Sequence, residues 1–98
     1  MNITKKQEGT ALEIALEGRL DTATAPALEA EINQSLNGVD ELTLDFGKLE
    51  YISSAGLRVL LGAQKALYGK GKMRVINANE IVREVFEVTG FSQILTIE

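Results

Sequence analysis

Two adjacent serines, Ser53 and Ser54, stand in the run Tyr51–Leu61, YISSAGLRVLL, between an extended apolar segment and an apolar helical stripe. A hydroxyl in that position can cap a helix or act as a site of chemistry. Hydrolytic use of either serine has no support, because the chain has no histidine and a Ser-His-Asp set cannot be assembled. Cysteine is absent too, which removes thiol catalysis, disulfides and thiolate metal sites. The carboxylate pairs Glu29/Glu31 and Glu84/Glu87 fall on helical patterns and read as solvated faces. No Asp/Asn-rich loop offers oxygen ligands for a metal. Neither G-x-G-x-x-G nor G-x-x-x-x-G-K-[ST] occurs, and Gly69-Lys70-Gly71-Lys72 reads as a turn. No cofactor is implied, and a binding or regulatory module is expected over an enzyme.

On local chemistry the serine pair is a helix start. Ile52 closes the extended segment and the helical stripe begins at Leu57, so Ser53 is the expected N-cap, its hydroxyl accepting from an orphan amide. Ser54 falls in the first turn, followed by Ala55 and Gly56. Glycine there costs roughly 0.5–1 kcal/mol relative to alanine. It serves either close helix-to-strand packing or close approach by another protein. A small-residue turn at a helix N-terminus favours an anion, through free N–H groups and the positive end of the helix dipole. Arg58, four residues after Ser54, shares its helix face and is open to three roles: plain surface residue, phosphate partner or partner contact. Asp21 reads as an Asx-type cap on the loop before the first helix, as a partner contact, or as both.

The elements that must position these residues follow from periodicity. Leu12, Ile14 and Leu16 alternate with Glu13, Ala15 and Glu17, a half-buried strand, with residues 2–6 as its hairpin partner and Glu8-Gly9 in the turn. Thr24 is a candidate cap for a helix that tolerates Pro26 in its first turn and carries Leu28, Ile32 and Leu36 on one stripe to Asn37-Gly38. Residues 41–46 alternate again. Leu57, Leu60, Leu61, Leu67 and Tyr68 keep helical spacing to Gly69. Residues 73–76 form a short strand, Asn77 or Asn79 caps a helix bearing Ile81, Val82, Val85 and Phe86, Gly90 ends it, and residues 94–97 make a last strand. The order is β-β-α-β-α-β-α-β. Strands separated by single helices favour parallel neighbours, so an α/β fold is expected: a mixed, mostly parallel sheet with helices mainly on one face.

The 98 residues make one domain, 1–98, with 45% hydrophobic and 24% charged residues. The net charge of −4, ten Lys and Arg against fourteen acids, provides no basic face for nucleic acid. No apolar run approaches the roughly 18 residues of a membrane helix, and MNITKKQEG lacks the apolar core of a signal peptide, so a cytoplasmic location is expected.

YISSAGLRVLL resembles the phosphorylation motif of STAS-domain anti-sigma factor antagonists, whose commonest form reads apolar-Asp-Ser-Ser/Thr-Gly-Leu-Gly after the third strand. LEGRLDTATAPALEAEI resembles the family's strand–G-x-L/I-D-x-x-x-A–helix segment through Gly18, Leu20, Asp21 and Ala25. ELTLDFGKLEYI resembles its third strand, and GKGKMRVINANEIVREVFEVTGFSQILTI its last strand–helix–strand. By position, Ser54 matches the phosphorylated serine. Ser53 stands where Asp is usual, Ala55 where a second Ser or Thr is usual, and Arg58 where a second Gly is frequent. The resemblance implies a single STAS domain whose partner contacts include Asp21, Thr22, Ser53, Ala55, Gly56 and Arg58. It implies as partner an anti-sigma factor that is a serine kinase with an ATPase-type fold. That kinase is bound by the dephosphorylated antagonist, which releases a sigma factor. A PP2C-type phosphatase would reverse the mark. The free protein is expected to be a monomer without membrane insertion.

Phosphate adds about −1.5 to −2 charge. At a helix N-terminus that charge is favourable by roughly 0.3–1 kcal/mol, so the fold is expected to persist and the interface to change. A 100-fold loss of affinity needs only about 2.8 kcal/mol. Two other readings stand beside this one. A STAS interaction subunit of another assembly, such as a lipid-transport complex, would dock constitutively near Ser54. A small-molecule or nucleotide-binding domain would require a polar pocket.

Overall fold

A computed structural model describes all residues, Met1–Glu98. The elements run β1 (Asn2–Glu8), β2 (Ala11–Leu20), α1 (Ala25–Ser35), β3 (Glu41–Ile52), α2 (Ser54–Leu67), β4 (Lys72–Ile76), α3 (Glu80–Thr89), a 3₁₀ turn (Phe91–Gln93) and β5 (Thr96–Ile97). This is the expected α/β order. The five strands lie in sequence order in one sheet, with β1 antiparallel to β2 and the rest parallel. Because each crossover steps one strand in the same direction, the right-handed rule places the three helices on the same face.

The residue pattern of the strands agrees. Leu12, Ile14 and Leu16 of β2 lie beside Leu42, Leu44 and Phe46 of β3 and Met73 and Val75 of β4, all buried beneath the helices. Leu28 and Ile32 of α1, Leu57, Leu60, Ala63 and Leu67 of α2, and Val82 and Phe86 of α3 complete that layer. Phe86 stacks on Phe46 with ring centroids 6.4 Å apart, which anchors α3 to β3. The opposite face of the sheet is polar and lacks a helix. There Glu13, Thr43 and Arg74 stand in register, and the Arg74 guanidinium donates to buried Thr43 Oγ1 at 3.0 Å while pairing with Glu98 at 3.1 Å. On β1 the one cation turned toward the helices, Lys5, reaches Glu31 of α1 at 2.8 Å.

Several boundaries differ from expectation. β1 runs to Glu8, because Gly9 at φ 61° lets Gly9-Thr10 close the hairpin in two residues. β3 continues beyond residue 46 to Ile52. Two register shifts insert one extra residue each, between Asp45 and Lys48 and between Leu49 and Tyr51, so it outruns β4 while staying paired to β2. Tyr68 is the C-cap of α2 and 86% exposed, so it leaves the core stripe. Ile81 also faces solvent, because the buried stripe of α3 runs through Val82 and Phe86. The last strand shrinks to two residues, since Phe91–Gln93 form a 3₁₀ turn first.

Candidate functional site

In a parallel sheet the strands' C-terminal ends share one edge, where the following helices begin. β2 and β3 are neighbours there, pairing Arg19 with Tyr51 and Leu20 with Ile52. The next residues in each chain segment are Asp21 and Ser53. The Ser53 amide donates to Leu20 O at 2.9 Å, tying the two segments together. The topology therefore brings Asp21-Thr22 and Ser53-Ser54, distant in sequence, to one place. The guanidinium of Arg19 lies 4.6 Å from the ring centroid of Tyr51, bracing the two strand ends. Sequence reading did not single out Arg19. Its signal was its position two residues before Asp21.

Asp21 is an Asx cap. Its Oδ1 accepts from the amides of Ala23 at 3.0 Å and Thr24 at 3.2 Å and from Thr24 Oγ1 at 3.2 Å. Thr24 Oγ1 also bonds Arg19 O at 2.8 Å and accepts from the Asp21 amide at 2.9 Å. Desolvation pushes the Asp21 pKa up. The bonds from Thr24 and Ala23, with the nearby positive charge of Arg19, outweigh it and hold the carboxyl below its ordinary value. Thr24 occupies the N-cap position of α1, but its hydroxyl makes no cap bond to the helix. The expectation that Thr24 is the capping side chain is corrected: that hydroxyl is committed to the strand end and to Asp21.

The serine pair divides into two environments. Ser53 is the N-cap residue of α2 in extended backbone, φ −101° and ψ 176°, and its carbonyl accepts from Leu57 N at 3.0 Å. Its side chain makes no cap bond, and its Oγ is buried with no partner. The expected hydroxyl cap is therefore not made. Ser54, the first residue of the helix, is exposed, while Ala55 is half-buried. No hydrogen bond within the chain engages the amides of Ser54, Ala55 or Gly56. The exposed hydroxyl thus sits beside three unpaired N–H groups at the positive end of a helix 14 residues long.

Gly56 is buried and turned inward. A Cβ built on it would lie 2.7 Å from Leu20 Cγ and 2.9 Å from Ile52 Cγ1. Of its two readings, the structure realises close packing of α2 onto the ends of β2 and β3. It leaves no glycine surface for another protein to approach. Arg58 is exposed one turn beyond Ser54 and makes no ion pair or side-chain hydrogen bond. Thr22 is exposed on the loop beside the serines. None of four surface hollows of about 250–540 Å³ is lined by Asp21, Ser53 or Ser54. The arrangement offers a surface of small residues around the exposed Ser54. No helix is long and apolar enough to cross a membrane.

A family model described as "Mlab, STAS domain" matches residues 3–96. A putative anti-sigma factor antagonist, BtrV, of Bordetella bronchiseptica is 38% identical over 99 residues, covering 99% of this chain and 85% of its own. The chain belongs to the STAS-domain family of anti-sigma factor antagonists. The anti-sigma-B factor antagonist of Listeria monocytogenes is 30% identical over 104 residues, covering all of this chain and 90% of its own. An anti-sigma factor antagonist from Mycobacterium paratuberculosis shares the fold with a TM-score of 0.89 at 22% identity, covering 98% of this chain and 83% of that one. Unphosphorylated SpoIIAA does so at 0.78 and 20% identity, covering 99% and 87%. The STAS resemblance and the α/β order read from the sequence both hold.

Proposed function

We propose that this STAS domain is a phosphorylation-controlled anti-sigma factor antagonist with Ser54 as the phosphoacceptor. In its unmodified form it binds an anti-sigma factor that is a serine kinase with an ATPase-type fold, and that binding releases a sigma factor. The observation that carries the reading is the asymmetry of the serine pair: Ser54 is exposed at the first position of α2, and Ser53 Oγ is buried. The relatives' names support the antagonist role. In the transfer step Ser54 Oγ attacks the γ-phosphorus of kinase-bound ATP, and the bond to the β-phosphate oxygen breaks. ADP leaves, and the hydroxyl proton passes to a base of the kinase. A PP2C-type phosphatase restores the hydroxyl by hydrolysis, releasing inorganic phosphate.

The phosphate acts on the interface and leaves the fold in place. Its charge meets the open amides of Ser54–Gly56, while the partner must desolvate or clash with a dianion. Asp21 and Thr22 present the neighbouring loop to the partner, and Ser53, Ala55 and Gly56 set the pose of Ser54. The protein works as a cytoplasmic monomer, a substrate of the kinase and not itself an enzyme.

One observation favours a second reading: Ser53 brings no charge where the family usually has Asp. A STAS subunit of another assembly, such as a lipid-transport complex, would use the same surface constitutively. The two separate on incubation with an anti-sigma serine kinase of the source organism and ATP. The proposal expects one phosphate on the wild type and none on Ser54→Ala. An unmodified wild type, or undiminished phosphate on Ser54→Ala, would falsify it.

A further inference from the structure

Helix α2 stands apart from the rest of the chain in charge. It carries Arg58 and Lys65 and no acidic residue, so it is +2 on a protein of net −4, and the remainder is −6. By contrast α1 carries Glu29 and Glu31, and α3 carries Glu80, Glu84 and Glu87 against Arg83. Both cations of α2 are exposed, and neither makes an ion pair or a side-chain hydrogen bond. Ser54, Arg58, Gly62 and Lys65 follow one another at spacings of four, four and three, which is one exposed stripe of the helix.

Gly62 has no internal reason to be glycine. It lies in the middle of the helix, is exposed, and a Cβ built on it would meet nothing within 4 Å. Alanine there would be the better helix former. Gly56 in the same helix is explained by Leu20 and Ile52; Gly62 is not. An unpaired arginine in the second turn, near the positive end of the dipole, is a further local choice without internal return. Departures from local consistency that gather on one surface mark function.

We infer that this stripe is a docking strip for an acidic surface of the partner. Gly62 is the flat point where the partner's chain approaches, and Arg58 and Lys65 are the flanking charges. The inference rests on the antagonist reading above and extends it to the partner's chemistry and to two residues beyond the serine turn. It also gives phosphorylation an electrostatic consequence. A phosphate of about −1.5 to −2 on Ser54 cancels the +2 of the helix. It also engages Arg58 from one turn away, so the strip no longer attracts an acidic partner.

The test is calorimetric titration of the unmodified protein with an anti-sigma serine kinase of the source organism, at about 50 mM and about 500 mM salt. Wild-type affinity is expected to fall about tenfold or more with salt. The double variant Arg58→Glu, Lys65→Glu should weaken binding about 100-fold at low salt and lose most of that dependence. Gly62→Gln should raise the thermal midpoint, because the helix gains a better former, yet weaken binding about tenfold. Lys6→Glu, on the far edge strand, should bind as wild type does. Wild-type binding with the double variant within threefold overturns the strip and leaves the antagonist reading intact, as does equal weakening by Lys6→Glu. A kinase that never binds the wild type overturns both. Retention of the wild type, and not the double variant, on phosphatidylglycerol vesicles while the kinase ignores the change assigns the strip to a lipid surface and overturns this inference.

Discussion

Helices α1 and α2 begin side by side on adjacent parallel strands, and they treat their first-turn amides in opposite ways. At α1 each amide is used or absent. Thr24 N bonds Asp21 Oδ1, Ala25 N bonds Asp21 O at 2.8 Å, Pro26 has no N–H, and Ala27 N bonds Thr24 O at 3.1 Å. At α2 the amides of Ser54, Ala55 and Gly56 are open, and the one hydroxyl placed to cap them, on Ser53, makes no bond. α3 lies between the two: Asn79 Oδ1 accepts from Val82 N at 2.8 Å, while no hydrogen bond engages the amides of Glu80 and Ile81. Of the three helix starts, α2 alone leaves its first three amides unbonded, an arrangement that favours an anion. The difference teaches that Asp21 and Ser53, which look alike as capping residues in the sequence, do different work. Asp21 ties its loop to the start of α1 by hydrogen bonds, and Ser53 leaves the amides that follow it unbonded.

Changes on either side of this contrast should separate packing from capping from charge. The largest stability effect is expected at Gly56. Gly56→Ala places a methyl within 3 Å of Leu20 and Ile52 and should cost about 1–3 kcal/mol in urea denaturation, despite alanine's higher helix propensity. A neutral result would mean that α2 can shift freely on the strand ends. Asn79→Ala removes a made cap and should cost about 1 kcal/mol. Ser54→Asp should leave circular dichroism unchanged and add roughly 0.3–1 kcal/mol from the helix dipole. The smallest effect is expected from Ser53→Ala, below about 0.5 kcal/mol, because no hydrogen bond is lost. A loss as large as that of Asn79→Ala would show that Ser53 caps α2 after all.

Asp21 gives the contrast a pH dependence. Its folded-state pKa lies below the ordinary value, so the folded state holds the proton more weakly than the unfolded chain. The stabilisation is fully present above the ordinary carboxylate pKa and fades as pH falls through that range toward the folded value. Thermal midpoints of wild type and Asp21→Ala should therefore differ at neutral pH and converge under strong acid.

The order of elements was legible because the strands alternate cleanly and each helix carries one apolar stripe. Two features were not. The bulges that carry β3 to Ile52 arise from pairing with β2, and no local pattern in FGKLEYI marks an inserted residue. The faces of Ile81 and Tyr68 depend on where each helix meets the sheet, and either residue could have continued a stripe. At the site, the roles of Asp21 as a partner contact and Ser54 as the phosphorylated serine were what the STAS resemblance implied. The idle hydroxyl of Ser53 and the inward turn of Gly56 were not. The inward turn of Gly56 depends on how Leu20 and Ile52 fill the strand ends beneath α2.

The central claim is that the open start of α2 receives the phosphate and the closed start of α1 does not. The most direct measurement is the amide nitrogen–proton spectrum of the protein before and after phosphorylation of Ser54. The account predicts large shifts of the Ser54, Ala55 and Gly56 amides, with those of Ala23, Thr24 and Val82 in place. Shifts spread through α1 and the sheet, or none in the Ser54–Gly56 turn, would contradict it.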